Sequence, residues 1–303
     1  MSKFPPSTYV ISLTPFTQAD ELDVEGFRAH MRRMRDAGVG VYVGGGGSGE
    51  GYTLTPDEVD TLLHIAVEEL KGHVPVRAMG VEPRSAKEML HLARMVEAAG
   101  LDAMQLYSLD TGHGRMPRPD ELETYFSDIL DGTTVPAVLS THQSVGYYVP
   151  IDVITRLVER YDHLIGLNVT NQDITYLVRI VEAVGDRVEI HVGGAMQGLT
   201  ALALGAQGFL TSEANLAPKL CQSVIDRWAA GDLAGAADAF ALVLRLYTGL
   251  AAVGGVSGTK AALELLGLPG GPPRKPRLPV LPEWRDRIAR LLDDLDIRRI
   301  EGF

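Results

Sequence analysis

The sequence contains very little cysteine, and this scarcity excludes whole classes of protein. Among its 303 residues there is one cysteine, Cys221. A lone thiol cannot form a disulfide within the chain, and it cannot supply a multi-cysteine metal site. We therefore expect a protein of a reducing compartment, the cytoplasm, rather than a small secreted domain stabilised by disulfides.

Long apolar runs and basic tracts are also scarce. The N-terminal stretch carries prolines at positions 5, 6 and 15, where a signal peptide needs an apolar helix. No run approaches the roughly 18 apolar residues of a membrane span. Lysine plus arginine number 28 against 39 aspartates and glutamates, a net charge of −11. An acidic surface repels phosphate backbones, so we expect neither a membrane nor a nucleic acid as partner.

Short β-branched runs, by contrast, are plentiful, and each is followed by an amphipathic stretch. The first pairs are the run Tyr9–Leu13 with a helix after Asp23, and the run Gly40–Gly44 with a helix after Thr55. About eight such β/α units predict a parallel sheet closed into a TIM (β/α)8 barrel over residues 1–231. A helical appendage is predicted over residues 232–303. An open doubly wound sheet is the alternative, but no glycine-rich fingerprint follows the first run.

Active sites of such barrels lie at the carboxyl ends of the strands, and a glycine-rich loop follows the second predicted strand there. It reads GGGGSGEG over residues 44–51. Backbone N–H groups in such a turn can hold an anion, so Gly46, Gly47 and Ser48 are predicted to bind a carboxylate or phosphate. The loop lacks the lysine of a nucleotide-binding P-loop. The alternative interpretation is a flexible connection without a ligand.

Polar residues also end the fourth, fifth and sixth predicted strands. They are Tyr107, Ser140, His142, Asn168 and Thr170. His142 is the candidate for acid–base chemistry, since histidine titrates near neutrality; the alternative is a loop histidine bonded to backbone. No histidines and carboxylates have a recognisable ligand spacing, so we expect no metal and no cofactor.

Taken together, these motifs resemble one family. Thr14-Pro15-Phe16, Gly46–Glu50, Ala214–Pro218 and Lys260–Leu263 occur in the order and spacing of the dihydrodipicolinate synthase / N-acetylneuraminate lyase superfamily of class I aldolase barrels. The resemblance runs nearly end to end. It implies a barrel fold, a small 2-oxo acid or related carboxylate as substrate, and a homotetramer built from dimers, with a dimer as the other possibility.

Two positions depart from the pattern of that family. Its Schiff-base lysine follows a Gly-Ile or Gly-Leu pair in strand six, where this chain has Asn168 after Gly166-Leu167, and its strand-five tyrosine is replaced by Ser140. An amide is not a nucleophile and cannot form the imine. One hypothesis is a lyase or hydratase that acts without a Schiff base, using Asn168, His142 and Ser140. The other is a catalytically silent relative that binds a small carboxylate or a protein partner.

Overall fold

Eight parallel strands follow one another around a closed barrel in chain order, which confirms the predicted TIM barrel. The structure is a computed structural model, and it describes residues 4–303 apart from the side chain of Gln143. The strands are β1 (Ser7–Ile11), β2 (Gly40–Val43), β3 (Val76–Ala78), β4 (Ala103–Leu106), β5 (Ala137–His142), β6 (Leu164–Thr170), β7 (Glu189–Gly193) and β8 (Gly208–Thr211).

A helix follows each strand, and four more helices follow the last β/α unit. The first eight are α1 (Val24–Ala37), α2 (Pro56–Leu70), α3 (Ala86–Ala99), α4 (Pro119–Asp131), α5 (Ile151–Arg160), α6 (Ile174–Val184), α7 (Gly198–Ala203) and α8 (Pro218–Ala229). The C-terminal four are α9 (Leu233–Ala251), α10 (Val256–Leu265), α11 (Pro282–Asp294) and α12 (Ile297–Glu301). The residues beyond 232 thus contain the expected C-terminal helices.

Local sequence explains where these helices begin and end. At the start of α2, the Thr55 hydroxyl accepts a hydrogen bond from the N–H of Glu58, whose carboxylate accepts one from the N–H of Thr55. This reciprocal capping box satisfies two backbone donors that a helix leaves open. At the end of α1, Gly38 adopts the left-handed conformation with φ 75°, which glycine enters without steric cost.

The chain divides into two compact units. The first unit holds Arg77–Leu210 together with residues 4–6, and the second holds Ser7–Val76 together with Thr211–Phe303. Helices α9–α12 therefore belong with β1, β2, α1 and α2. The boundary placed at residue 231 from the sequence stays a prediction.

Helix α9, in the second unit, is long and apolar enough to cross a membrane by length and composition. Its buried residues recur every three or four positions, which is the spacing of one helical face; they include Ala236, Ala239, Val243, Leu246 and Leu250. A core helix passes the same test, so α9 is weak evidence for a span. It nevertheless qualifies the sequence-based expectation that no stretch approaches that length.

Candidate active site

Two rows of polar side chains cross the strands of the first unit. In the β-ladder, Ser140 pairs with Asn168, and Asn168 pairs with His191 of β7. Two residues farther along, His142 pairs with Thr170. Because side chains at alternate positions of a strand point to the same face, all five lie on one face of the sheet.

That face is the interior of the barrel. Thr141, which lies between the two rows, points the other way, and its hydroxyl is 3.1 Å from the phenol oxygen of Tyr176 on α6. The Tyr176 hydroxyl in turn donates to the carbonyl of Val149 at 2.6 Å. Odd-numbered positions of β5 therefore face the helices, and Ser140 and His142 face inward with Asn168 and Thr170.

Gln105 of β4 holds the amide of Asn168. The Nδ2 of Asn168 donates to the Oε1 of Gln105 at 2.5 Å, and both side chains are buried. This hydrogen bond orients the Asn168 amide so that its nitrogen, and not its oxygen, faces Gln105. Gln105 was not among the predicted site residues. Its inward position could have been read from strand alternation, but its contact across the interior could not.

His191 of β7 is a buried residue of the barrel layer. Burial, with a contribution from the cation of Arg77, lowers the pKa of His191 to about 3. The imidazole is therefore neutral at physiological pH. Arg77 itself forms a 2.9 Å ion pair with Glu189, so this charged pair lies in the same unit as the polar rows.

His142 belongs to a chain of three side chains. The Oγ of Ser144 lies 2.6 Å from the Nδ1 of His142 and donates to a carboxylate oxygen of Glu82 at 3.0 Å. The N–H of Ser144 also donates to the Nδ1 of His142. An Nδ1 that accepts leaves the proton of the neutral imidazole on Nε2. Burial lowers the pKa of His142, and the charge of Glu82 opposes the shift.

The fourth strand places Tyr107 and Ser108 directly after its last residue. Tyr107 is buried, and its carbonyl accepts a hydrogen bond from the hydroxyl of Tyr125 at 3.0 Å. The hydroxyl of Ser108 donates to the carbonyl of Ser140 at 2.8 Å. The Ser108 bond ties the end of β4 to β5, so the backbone that carries Ser140 is held in place, and the Tyr125 bond ties the end of β4 to α4.

The glycine loop predicted to bind an anion lies in the second unit and is tightly folded. A Cβ on Gly49 would lie 2.7 Å from the carbonyl oxygen of Gly45, and one on Gly51 would lie 2.5 Å from that of Gly44. The Thr14 hydroxyl donates to the carbonyl of Gly49 at 2.7 Å. Close backbone approach therefore requires glycine at positions 49 and 51.

The same loop presents a run of backbone donors. Within the described chain, the N–H groups of Gly46, Gly47, Ser48 and Gly49 donate no hydrogen bond. Unsatisfied consecutive N–H groups are the feature that makes a loop attract anions. Gly47 and Ser48 line a cavity of about 200 Å³ in the second unit, together with Leu13, Glu213, Leu250 and Val256. Glu213 was not predicted from the sequence.

The lysines of residues 4–303 lie on helices, at helix ends or in loops, and not in strands; they are Lys71, Lys87, Lys219, Lys260 and Lys275. Lys260 is almost fully buried, and burial lowers its pKa while the charge of Glu50 opposes the shift. Its ammonium contacts Glu50 at 2.5 Å and donates to the carbonyls of Thr14 and Pro272. Two carbonyls and one carboxylate thus surround the ammonium, which is the environment of a structural cation.

Among residues 4–303, no three histidines, cysteines, aspartates or glutamates are grouped so that they could hold a metal ion.

Comparison with known proteins identifies the family to which these features belong. Residues 7–295 match the model of the dihydrodipicolinate synthetase family. The chain belongs to this family. The 4-hydroxy-tetrahydrodipicolinate synthase of Methanopyrus kandleri is 30% identical over 254 residues, 83% of each chain. That of Sorangium cellulosum is 29% identical over an alignment of 313 positions that covers 99% of both. The resemblance inferred from the motifs is thus confirmed.

Solved structures of this family share the fold of the chain. A dihydrodipicolinate synthase from Bacillus anthracis superposes with a TM-score of 0.88 at 24% identity, covering 97% of this chain and 99% of the other. A prophage protein of the same family from E. coli K12, solved in complex with pyruvate, gives a TM-score of 0.88 at 22% identity over 96% and 99%. At these identities the likeness shows the barrel and its helices.

Proposed function

We propose that this member of the dihydrodipicolinate synthetase family is a lyase or hydratase acting on a small 2-oxo acid or related carboxylate without a Schiff-base lysine. Family membership supports a lyase that takes a small carboxylate. The observation that carries the finer proposal is Asn168. It occupies the inward-facing row of β6 that the resemblance assigns to lysine, and it is held there by Gln105.

The carboxylate of the substrate is assigned to the glycine loop. The N–H groups of Gly46–Gly49 have no acceptor among the described residues, and Gly47 and Ser48 of this stretch line the cavity. Backbone donors of this kind bind anions without needing a cation. Gly47→Val tests this role, because a Cβ on Gly47 meets no atom within 4 Å. We expect weaker ligand binding with little loss of stability.

Asn168 and His142 are assigned the chemical steps. A neutral amide can donate to an enolate or carbonyl oxygen as negative charge develops on it. His142 can take or return a proton, with its tautomer set by Ser144. Ser140 is assigned a supporting acid–base role, and Tyr107 and Thr170 are assigned to substrate binding. Ser144 and Glu82 are positioning residues, since they act through His142.

The second candidate is a catalytically silent relative that binds a small carboxylate or a protein partner. It is favoured by the replacement of both reactive residues that the resemblance implies, at Asn168 and Ser140. Turnover separates the two functions: a silent relative binds members of a 2-oxo acid panel but converts none of them.

The mechanism is tested by borohydride trapping with 2-oxo acids followed by intact mass. We expect no adduct, and an adduct would contradict the proposal. For the substrate that is turned over, Asn168→Ala should lower kcat by about 10²-fold, the effect of removing one oxyanion donor. The matched control is Gln222→Ala, which removes an amide on α8 that contacts Asp226. Asn168→Lys alone should not create synthase or aldolase activity, because Ser140 still stands in place of the tyrosine that relays protons.

For the assembly, we propose a cytoplasmic homotetramer built from dimers, with no cofactor, metal, nucleic acid or membrane partner. One structural neighbour is described as a monomeric dihydrodipicolinate synthase variant, so monomers occur on this fold. Light scattering decides the matter for this chain. A mass four times 32.7 kDa supports the tetramer, and a mass of one chain at micromolar concentration contradicts it.

A further inference from the structure

Glu213 lies at the wall of the cavity that Ser48 borders. It begins the single 3-10 turn Glu213–Asn215 after β8, and only 3% of its surface is exposed. Its Oε1 accepts a hydrogen bond from the hydroxyl of Ser212 at 2.7 Å, and its Oε2 contacts the hydroxyl of Thr211. Two neutral hydroxyls thus orient the carboxyl group.

No cation compensates the charge of this carboxyl group. Among the described residues, no lysine, arginine or histidine forms an ion pair with Glu213. Burial raises its pKa, and the hydrogen bonds from Thr211 and Ser212 oppose the shift without cancelling it. The protonated form therefore persists to a higher pH than in an exposed glutamate. A protonated carboxyl group can donate a hydrogen bond, which a carboxylate cannot.

The remaining wall of the cavity selects by charge and size. Leu13, Leu250 and Val256 contribute apolar surface, and neither lysine nor arginine is among the lining residues. The glycine loop can bind one carboxylate, but a second negative charge would meet apolar groups, neutral hydroxyls and a carboxyl group with no cation to compensate it, which is costly. The volume of about 200 Å³ falls below the roughly 300–1,000 Å³ of pockets for drug-sized ligands.

We propose that Glu213 determines specificity by donating a hydrogen bond from its carboxyl group to a carbonyl or hydroxyl of a small monocarboxylate. The ligand's own carboxylate is bound by the loop that carries Ser48. This inference rests on the proposed carboxylate site. It adds that the second polar group of the ligand, the one that contacts Glu213, is neutral. Dicarboxylates are disfavoured because no lysine or arginine lines the cavity to pair with a second carboxylate. Amino acids are disfavoured because a protonated Glu213 carries no charge to pair with their ammonium group.

Other titratable groups near Glu213 do not account for a pH dependence. Cys221 of α8 has its pKa raised by burial, and His30 of α1 has its pKa lowered to about 3. Arg33 of α1 donates to the carbonyls of Asn215 and Leu216. From α9, Tyr247 lines the cavity. Glu301 of α12 also acts on Cys221 and has its pKa raised by burial, but it accepts hydrogen bonds from the N–H groups of Lys219 and Leu220. Glu50 is paired with Lys260, and Glu213 is the carboxyl group of these three that lines the cavity.

Calorimetric titration of the purified chain tests the proposal with three probes of similar skeleton: 2-oxobutyrate, 2-aminobutyrate and 2-oxoglutarate. We expect 2-oxobutyrate to bind at least about tenfold more tightly than either of the others. Its Kd should rise with pH as Glu213 ionises, approaching about tenfold per pH unit above the pKa of the group. Glu213→Gln keeps a donor of the same shape, so its affinity should become independent of pH. Glu283→Gln, an exposed acid on α11, is the control.

Ser212→Ala provides a second variant, which keeps Glu213. It tests the role of Glu213 even if Glu213→Gln does not fold. It removes a hydroxyl that lowers the pKa of Glu213, so the loss of affinity should move to higher pH; an unmoved profile overturns the proposal. Tighter binding of 2-aminobutyrate or 2-oxoglutarate, or an unchanged pH profile in Glu213→Gln, also overturns it. In those cases, weaker binding of the probes by Gly47→Val would still support the proposed carboxylate site at the glycine loop. Failure of all three probes to bind refutes both proposals.

Discussion

Replacing Lys260 by methionine removes the cation of a buried ion pair. The Lys260 ammonium contacts Glu50 at 2.5 Å, and each side chain is 1% exposed. It also donates to the carbonyls of Thr14 and Pro272 at 2.9 and 3.0 Å. Methionine fills a similar volume but leaves the Glu50 carboxylate without its cation, in contact with the N–H of Arg274.

The cost follows from this geometry. Breaking a buried pair by removing one partner costs about 3–5 kcal/mol, since the other charge remains desolvated. For chains above 150 residues, 1 kcal/mol shifts Tm by about 2–4 °C. We therefore expect Lys260→Met to lower Tm by roughly 10 °C. The double variant Glu50→Gln with Lys260→Met removes the stranded charge, and it should regain part of the loss.

Scanning calorimetry of the two single variants and the double variant measures the coupling between Lys260 and Glu50 directly. Lys87→Met, which alters an exposed lysine on α3, is the control and should leave Tm nearly unchanged. The reasoning is refuted by a shift in Lys260→Met no larger than in the control. It is equally refuted by a double variant whose loss equals the sum of the single losses.

Two further predictions concern packing and pH. A Cβ on Gly193 would overlap the side chain of Thr170, so Gly193→Ala should lower Tm. Adding Thr170→Ala should restore most of the lost Tm. If Tm is not restored, the overlap with Thr170 is not the cause of the loss. His30 and His191 each have a pKa lowered from 6.5 to about 3 in the folded chain. As pH falls, these two histidines therefore become protonated in the unfolded chain before they do in the folded chain. Stability should be full above pH 6.5 and fall by about 1.4 kcal/mol per histidine for each pH unit below it. Thermal scans at pH 7 and 5 measure this, and His30→Gln should reduce the slope.

The arrangement of strands and helices was readable from the sequence because its signals are local. A capping box at Thr55 and Glu58 and a terminating glycine at Gly38 act within one helical turn. The alternation of apolar runs with amphipathic stretches needs no knowledge of distant residues. Motifs such as Gly46–Glu50 are likewise contiguous, and they sufficed to indicate the family. Strand alternation also suffices to place Asn168 and Thr170 on one face of β6.

The contacts of the site depend on residues far apart in the chain. Gln105 reaches Asn168 across 63 positions, and Ser144 reaches Glu82 across 62. Glu213 shares a cavity with Ser48, although 165 positions separate them in the sequence. Such pairings are set by strand register and by the packing of loops and helices on the strands. A period of two residues places a side chain on a face, but it does not specify which distant side chain lies opposite. Only the folded chain brings Gln105 and Ser144 within hydrogen-bond distance of their partners and places Glu213 and Ser48 around one cavity.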